Sequence, residues 1–252
     1  MMNRLSAPAC GVRVILILLV LAIFQPGPVL AQEGDKASAG LGLLLGFPQG
    51  EFRDQVPNLG IGLGGNFAIR VAGSPLLLGA DLGFMIYGHE RRREPFSLTI
   101  PDVHVLVTTS NNIFLGHLLM RLQPPTGTLR PYLDGLFGFK YFWTETTIRS
   151  EDWGDDEDPI ASSTNLDDFA LSYGGGLGLA VQLYDGTQRR QETGEGIGKV
   201  LLDLRLRYLM GSEAEYLKRD SIERLPDGTV VYDITRSQTD FLNFYLGVSI
   251  AF

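Results

Sequence analysis

The chain has few residues that could perform acid, base or metal chemistry. Its histidines are His89, His104 and His117, and its single cysteine is Cys10. None of the histidines has zinc-site spacing, and a hydrolase would need a histidine with a serine or acidic partner. His89 precedes Glu90, but three arginines follow, which is typical of a solvated loop edge. We therefore predict no catalytic residue, metal or cofactor, and expect that the protein is not an enzyme.

Three further segments resemble ligand-binding motifs without their context. GIGLGG at 60–65 has G-x-G-x-x-G spacing, but no helical pattern follows and its glycines line one strand face. GEGIGK, ending at Lys199, lacks Walker spacing and the following serine or threonine, so we interpret it as a turn. EDWGDDEDP at 151–159 has six carboxylates but no EF-hand spacing. Such runs are usually solvated, and divalent-cation binding there stays open.

The N-terminal apolar stretch is typical of an export signal. VILILLVLAIF at 14–24 is too short for a membrane-spanning helix, follows Arg4 and Arg13, and precedes Pro-Gly-Pro and small residues. We predict a cleaved signal peptide over 1–31 and one domain over 32–252. Cleavage would remove Cys10, leaving no disulfide or thiolate site. It would also take the formal net charge from -8 to -10 by removing two arginines, which disfavours a nucleic-acid partner.

The rest of the chain alternates apolar residues with small or polar ones at a period of two, as amphipathic strands do. FLNFYLGVSIAF at 241–252 has an apolar residue at every even position. Eight strands are predicted in this way, at 38–47, 59–71, 76–87, 112–123, 129–143, 169–184, 200–211 and 241–252. Long connections are predicted at 48–58, 88–111, 144–168 and 212–240, and shorter ones at 72–75, 124–128 and 185–199.

Two barrel architectures fit this alternation, and they differ in which face meets solvent. A soluble lipocalin-like barrel puts its apolar face inward, whereas a transmembrane barrel puts it outward. Glycine, alanine and serine dominate the polar face, and such residues suit a narrow lumen better than a water-exposed coat. We predict an all-β, eight-stranded, antiparallel up-and-down transmembrane β-barrel with long external loops and both termini on the short-turn side.

Charged residues on the inward faces are the candidate site of this barrel. An eight-stranded barrel leaves an interior that side chains fill, and buried charges require partners. We predict that these residues form a plug of paired charges. Because five cations outnumber three anions, a narrow anion-preferring channel is the alternative. The predicted lumen residues are Arg70, Asp81, Arg121, Asp134, Lys140, Asp203, Arg205 and Arg207.

Several of these strands resemble a known family. The early glycine-punctuated strands, RPYLDGLFGF, LDLRLRYLMG and the final FYLGVSIAF are similar to the small eight-stranded bacterial outer-membrane β-barrels, which include the OmpA transmembrane domain and OmpX. The resemblance implies a Gram-negative-type outer membrane, surrounding lipid and insertion by the barrel-assembly machinery. It also implies an assembly signal in the last strand, formed by Phe244, Leu246, Val248, Ile250 and Phe252.

The family resemblance fixes architecture more than activity. We expect a monomer with a structural or surface-interaction role through its external loops, and a surface protein partner is possible. The alternative is a narrow porin-like channel for small solutes. In the last long connection, IERLPDGTVVYDITRS at 222–237 predicts a hairpin turn at Asp227 and Gly228. This hairpin would extend the seventh and eighth strands beyond the membrane and could offer an edge to a partner strand.

Overall fold

The computed structural model describes residues 35–97, 100–150, 160–186, 198–225 and 229–252. The predicted signal peptide, the acidic run and the Asp227–Gly228 turn lie outside these ranges. Among the described residues, no helix is long and apolar enough to cross a membrane. The elements are β1 Ala37–Pro48, α1 Gly50–Gln55, β2 Gly60–Arg70, β3 Leu76–Ser97, β4 Ile100–Leu122, β5 Leu129–Ser150, β6 Ala161–Asp185, β7 Lys199–Gly211, β8 Glu213–Arg224, β9 Val230–Gln238 and β10 Phe241–Ala251.

Eight of these strands close into an antiparallel barrel in the order β1, β10, β7, β6, β5, β4, β3, β2. The seam pairs β1 with β10 from Ser38 opposite Ala251 to Pro48 opposite Phe241. Apart from β8 and β9, which form a separate two-stranded sheet, each barrel strand pairs with its neighbours in sequence. The predicted eight-stranded up-and-down barrel is confirmed, with both ends of the barrel chain at one rim, which we call the basal end.

The barrel exterior is apolar, as the transmembrane interpretation predicts. Leu118, for example, is 70% exposed, whereas its neighbour His117 points inward and is 4% exposed. Tyr141, Trp143 and Phe169 form adjoining rings on the outer face near the other rim, the mouth, where aromatic girdles are found. Other exposed apolar side chains of the belt are Leu41, Leu43, Ile61, Leu63, Phe67, Leu78, Leu82, Met120, Leu133, Phe137, Leu171, Leu177, Leu206, Phe244, Leu246 and Val248.

Two predicted long loops, 88–111 and 144–168, are wrong because the strands continue through most of them. Past a bulge after Ile86, β3 pairs with β4 from Gly88 opposite Asn111 to Ser97 opposite Ile100. β5 and β6 likewise remain paired up to Ile148 opposite Ala161. Outside a lipid belt both sheet faces meet water, so the alternation disappears although the hydrogen-bond ladder persists. We call 88–97, 100–111, 144–150 and 161–168 the projecting sheet.

The other two long connections also contain regular structure at the mouth. The 48–58 connection includes the six-residue helix α1, whose Phe52 is fully buried. The 212–240 connection contains β8 and β9, which confirms the predicted hairpin strands. The expectation that they extend the barrel strands is wrong, because β8 and β9 pair only with each other in the described chain and leave the barrel ladder after Gly211. We call β8 and β9 the hairpin.

Candidate functional site

The central layer of the lumen is a chain of alternating charges. Asp134 lies at one end and accepts four hydrogen bonds. Arg121 donates from Nε to Oδ1 at 2.7 Å and from Nη2 to Oδ2 at 3.0 Å. Arg207 donates to Oδ2 from Nε at 3.0 Å and from Nη2 at 2.6 Å. Because Asp134 is buried, both guanidinium groups are needed to compensate for its lost hydration.

The network continues across the lumen to the opposite wall. Arg207 Nη1 and Arg205 Nη1 both contact Asp81 Oδ2, at 2.9 and 3.2 Å. Arg205 also contacts Asp203 Oδ2 through Nη2 at 2.5 Å. The three arginines therefore alternate with three aspartates along one path, Arg121, Asp134, Arg207, Asp81, Arg205 and Asp203. The central layer is formally neutral and spans strands β3, β4, β5 and β7.

Tyrosine rings seal the central layer against the barrel wall. The Tyr132 ring centroid lies 3.8 Å from Arg121 Cζ, and the Tyr245 centroid lies 3.9 Å from Arg205 Cζ. The Tyr132 hydroxyl donates to Asp203. Gly178 makes this placement possible, because a Cβ there would lie 2.2 Å from Tyr132 Cζ. The inward glycines of β6 thus provide the volume that the tyrosine and arginine side chains occupy.

Two further inward residues, Lys140 and His117, are buried but take no part in this chain of ion pairs. Lys140 Nζ donates to the carbonyl oxygens of Leu209, at 3.2 Å, and Thr239. His117 Nε2 lies 2.9 Å from Ser172 Oγ, so the lumen does bring a histidine and a serine together. The other ring nitrogen of His117, Nδ1, has no hydrogen-bond partner among the described residues. The pair therefore lacks the orienting carboxylate of a hydrolytic triad and is enclosed by the filled lumen.

A second ionic cluster, the basal layer, closes the end of the lumen near the chain ends. The Asp35 carboxylate contacts Arg130 and, at 2.8 Å, Lys199 Nζ. Arg70 lies here rather than in the central layer, and its Nε donates to the Asp35 carbonyl oxygen at 3.0 Å. A cavity of about 20 Å³ lies between the two layers, close to the size of one water molecule. Sequence reasoning missed Asp35, Arg130 and Lys199 as lumen residues.

Aromatic side chains, the mouth layer, close the opposite end. Phe52 of α1 contacts four rings edge-on: those of Tyr216 and Phe241, with centroids 4.9 and 5.0 Å away, and those of Phe142 and Tyr87, at 5.8 and 6.0 Å. Apolar residues beneath these rings continue the layer downward into the lumen. Sequence reasoning missed the mouth layer, although interruptions of the polar face signalled it at Leu44, Met85, Ile113 and Leu115, which are all buried.

Beyond the mouth, the hairpin and the projecting sheet face each other across a cleft. At its base, β8 is anchored to β6, where the Glu215 amide donates to Asp168 Oδ2 at 2.8 Å. Farther out the two sheets separate and leave a cleft of about 530 Å³. The sheet side contributes Val105, Val107, Thr109, Thr146, Ile148 and residues 160–163, and the hairpin side contributes Ile222, Val230 and Tyr232.

The residues of the predicted assembly signal lie at the barrel seam. Phe244, Leu246, Val248 and Ile250 point outward from β10 and are partly exposed. The Phe252 carbonyl accepts hydrogen bonds from the amides of Lys36 and Ala37, each at 2.8 Å, and the Phe252 amide donates to Ala37 O at 2.9 Å. These residues are therefore part of barrel closure in the folded protein, and their recognition by assembly machinery stays a prediction.

A closed antiparallel barrel of eight strands with an apolar outer belt and a polar, filled interior has the architecture of a transmembrane β-barrel. The sequence matches no protein-family model and no curated protein. Several solved structures are similar, among them the following three. Ail, the attachment invasion locus protein of Yersinia pestis, has 12% identity and a TM-score of 0.36, over 87% of this chain and 99% of that chain. Neisserial surface protein A has 10% identity and a TM-score of 0.38, over 88% and 100%. A major outer membrane protein from Thermus thermophilus has 14% identity and a TM-score of 0.43, over 86% and 99%.

Proposed function

We propose that this protein is a non-enzymatic outer-membrane β-barrel with a closed lumen, which presents the projecting sheet and the hairpin to partners at the cell surface. The observation that carries the proposal is the filling of the lumen at three levels. The central layer and the mouth layer place buried side chains across the barrel, and the basal layer adds the buried Arg130 beside the partly exposed Asp35, Arg70 and Lys199. A solute would have to break the central ion pairs and displace the mouth rings to pass.

The lumen charges support a plug better than a channel. The excess of cations that suggested an anion path is distributed outside the central layer. Arg70 and Lys140 donate to backbone carbonyl oxygens, and the three central arginines are matched by three aspartates. The cavity near the basal end has a volume of about 20 Å³, which suits a single water and no larger solute.

Planar bilayer recording of the purified, refolded protein tests the closed lumen. We expect no discrete conductance steps from the unmodified protein. An Asp134→Ala/Arg207→Ala variant removes one shared ion pair together with its side-chain volume and should show whether the central layer is the barrier. Discrete steps from the unmodified protein would instead establish the narrow channel.

The proposed surface role rests on the structure beyond the belt. The projecting sheet and the hairpin carry strand edges and exposed apolar residues such as Val231 and Ile234, which are features of protein-binding surfaces. Replacing 213–238 by a short glycine-serine linker should leave the barrel folded, as judged by the gel-mobility difference between unheated and boiled samples. Loss of the folded band would mean that the hairpin is needed for the barrel and would count against a separable display role.

We further propose that outer-membrane lipid surrounds the belt and that the barrel-assembly machinery inserts the chain, which functions as a monomer. The continuous apolar belt supports the lipid environment, and the seam position of β10 supports a signal that is read before closure. Size-exclusion chromatography with light scattering in detergent would test the monomer, with a stable dimer as the contrary result.

A further inference from the structure

We propose that the basal layer binds the phosphate group of a water-soluble molecule and seats one phosphate oxygen in the cavity next to the central layer. This site lies at the opposite end of the barrel from the proposed surface role and does not depend on it. The excess of positive charge, the unused hydrogen-bond donors and the dimensions of the cavity support the assignment. The residues that would hold the phosphate are Ser38, Arg70, Arg130 and Lys199.

The first observation is an excess of positive charge in the basal layer. Arg130 and Lys199 share the Asp35 carboxylate, one on each oxygen. Arg70 donates only to backbone carbonyl oxygens, and within the described ranges it contacts no carboxylate. These four residues therefore carry three positive charges and one negative charge. Burying a charge without a counterion is costly, and a phosphate group, with about 1.5 to 2 negative charges at neutral pH, would balance the excess.

The second observation is that polar atoms beside the cavity lack partners. Arg70 and Arg130 both line the cavity. A guanidinium group has five N–H donors, and Arg70 uses only those on Nε and Nη1 within the described part of the chain. Ser38 lines the same cavity, and its buried Oγ has no hydrogen-bond partner among the residues described. A water molecule would satisfy this hydroxyl group but would leave the charge of Arg70 uncompensated.

The third observation is the size of the cavity and the direction in which it opens. Its volume of about 20 Å³ suits one water molecule and therefore one oxygen atom of a phosphate group. Arg121 and Asp203 of the central layer line its inner side, whereas Asp35 and Gln123, near the strand ends, line its outer side. The cavity therefore opens toward solvent at the basal end. The rest of the ligand would remain outside this opening.

The cations of the basal layer lie at different depths, which favours a tetrahedral group. The Arg130 side chain is 2% exposed and that of Lys199 is 13% exposed. The oxygen in the cavity would meet Arg130 and the Ser38 hydroxyl group, and the outer oxygens would meet Arg70 and Lys199. Arginine recognises phosphate oxygens through paired N–H groups. Because these side chains face the lumen, the ligand would arrive from water rather than from the lipid belt.

Isothermal titration calorimetry with sodium phosphate tests the site. The full chain without its predicted signal peptide is refolded in detergent micelles and titrated at neutral pH and constant ionic strength. We expect saturable binding with a dissociation constant below about 1 mM. Acetate is planar and carries a single charge, so it should bind at least about tenfold more weakly, equivalent to about 1.4 kcal/mol. The phosphate titration should give the same constant in nanodiscs with and without phosphatidic acid, because a lipid headgroup does not reach the lumen.

Two cations at the same end of the barrel provide a matched pair of variants. Arg70 lines the cavity, whereas Lys36 is exposed and does not line it. Arg70→Gln should weaken phosphate binding at least about tenfold, and Lys36→Gln, which removes the same charge, should leave it within about twofold. Ser38→Ala removes a hydroxyl group and no charge, and it should weaken binding about threefold or more. The gel-mobility difference between unheated and boiled samples shows whether each variant is folded, and Ser38→Ala keeps the test available if Arg70→Gln does not fold.

Four results would overturn the proposal. Absence of saturable binding up to about 10 mM phosphate would mean that water fills the cavity. Equal effects of Arg70→Gln and Lys36→Gln would mean that anions are attracted generally to a positive surface. Equal binding of acetate would remove the phosphate assignment, and weaker phosphate binding beside phosphatidic acid would make the lipid headgroup the ligand. Bilayer recordings test the closed lumen separately, because a phosphate that stops at the central layer does not depend on conduction.

Discussion

Replacing Asp134 by leucine should strongly destabilise the barrel. Within the described chain, the side-chain hydrogen bonds of Arg121 all end on Asp134, and Arg121 is 3% exposed. Asp134→Leu would therefore leave a buried guanidinium without its carboxylate. Breaking a buried ion pair by removing one partner costs about 3 to 5 kcal/mol. Arg207 should add less to this cost, because it keeps its contact with Asp81 Oδ2 at 2.9 Å.

A second substitution shows whether the unpaired charge causes this loss. The Arg121→Met/Asp134→Leu double variant removes Arg121 together with Asp134, so no guanidinium is left without a carboxylate partner at this position. Methionine and leucine side chains fill the space of the ion pair. Replacing a buried ion pair by well-packed apolar residues is often close to neutral, so we expect the double variant to recover about 2 kcal/mol or more relative to Asp134→Leu. Asp233→Leu in the hairpin, where the side chain is 74% exposed, is the control and should change stability by less than about 0.5 kcal/mol.

The assay is equilibrium urea unfolding of barrel refolded in detergent micelles, followed by tryptophan fluorescence and by the folded band on gels. Two results would refute the reasoning. One is an Asp134→Leu barrel within about 1 kcal/mol of the unmodified protein, which would mean that water or mobile side chains compensate for the charge. The other is a double variant less stable than the single one, which would mean that packing rather than pairing determines stability at this level.

Three further predictions concern other levels of the barrel. Phe52→Ala should lower the free energy of unfolding by about 3 to 5 kcal/mol without producing conductance steps, because the central layer remains; steps would show that the mouth layer is the barrier. Phe252→Ala should sharply lower assembly in cells but cost at most about 1.5 to 3 kcal/mol in detergent, since its backbone bonds to Lys36 and Ala37 survive; normal assembly in cells would contradict the signal. Burial raises the pKa of Tyr216 above its usual value. The contribution of Tyr216 to hairpin docking should therefore be complete below about pH 10 and be lost as pH rises through the raised pKa. An absorbance titration compared with Tyr216→Phe checks this, and loss of the docked hairpin near neutral pH would contradict it.

The sequence predicted the parts of the fold that lie within the lipid belt. There, one face of each strand meets hydrocarbon and the other meets packed polar groups. Apolar and polar residues therefore alternate along the sequence, and strands such as β7 and β10 can be recognised from it. The same alternation assigns Arg121, Asp134 and Arg207 to the lumen, where the structure places them. It does not specify partners, because pairing depends on strand tilt and register around the closed barrel.

The parts that could not be predicted lie where this physical cause is absent. In the projecting sheet both faces meet water, and the consecutive Arg91, Arg92 and Arg93 show no alternation although β3 continues through them. The helix α1 has six residues, too few for a helical period to stand out. Asp35 is one of several polar residues before β1, and only the closed barrel brings it to Lys199.

The seam between β1 and β10 also has consequences for how the barrel forms. It joins Ser38 to Ala251, nearly the full length of the domain apart, so its contacts are the most non-local of the fold. Closing so long a loop carries a large entropic cost before any seam hydrogen bond forms, and high contact order slows folding. Once closed, the ring has no free end from which the barrel ladder can unzip. We therefore expect slow closure and still slower opening, which would make the barrel long-lived by its kinetics as well as by its equilibrium stability.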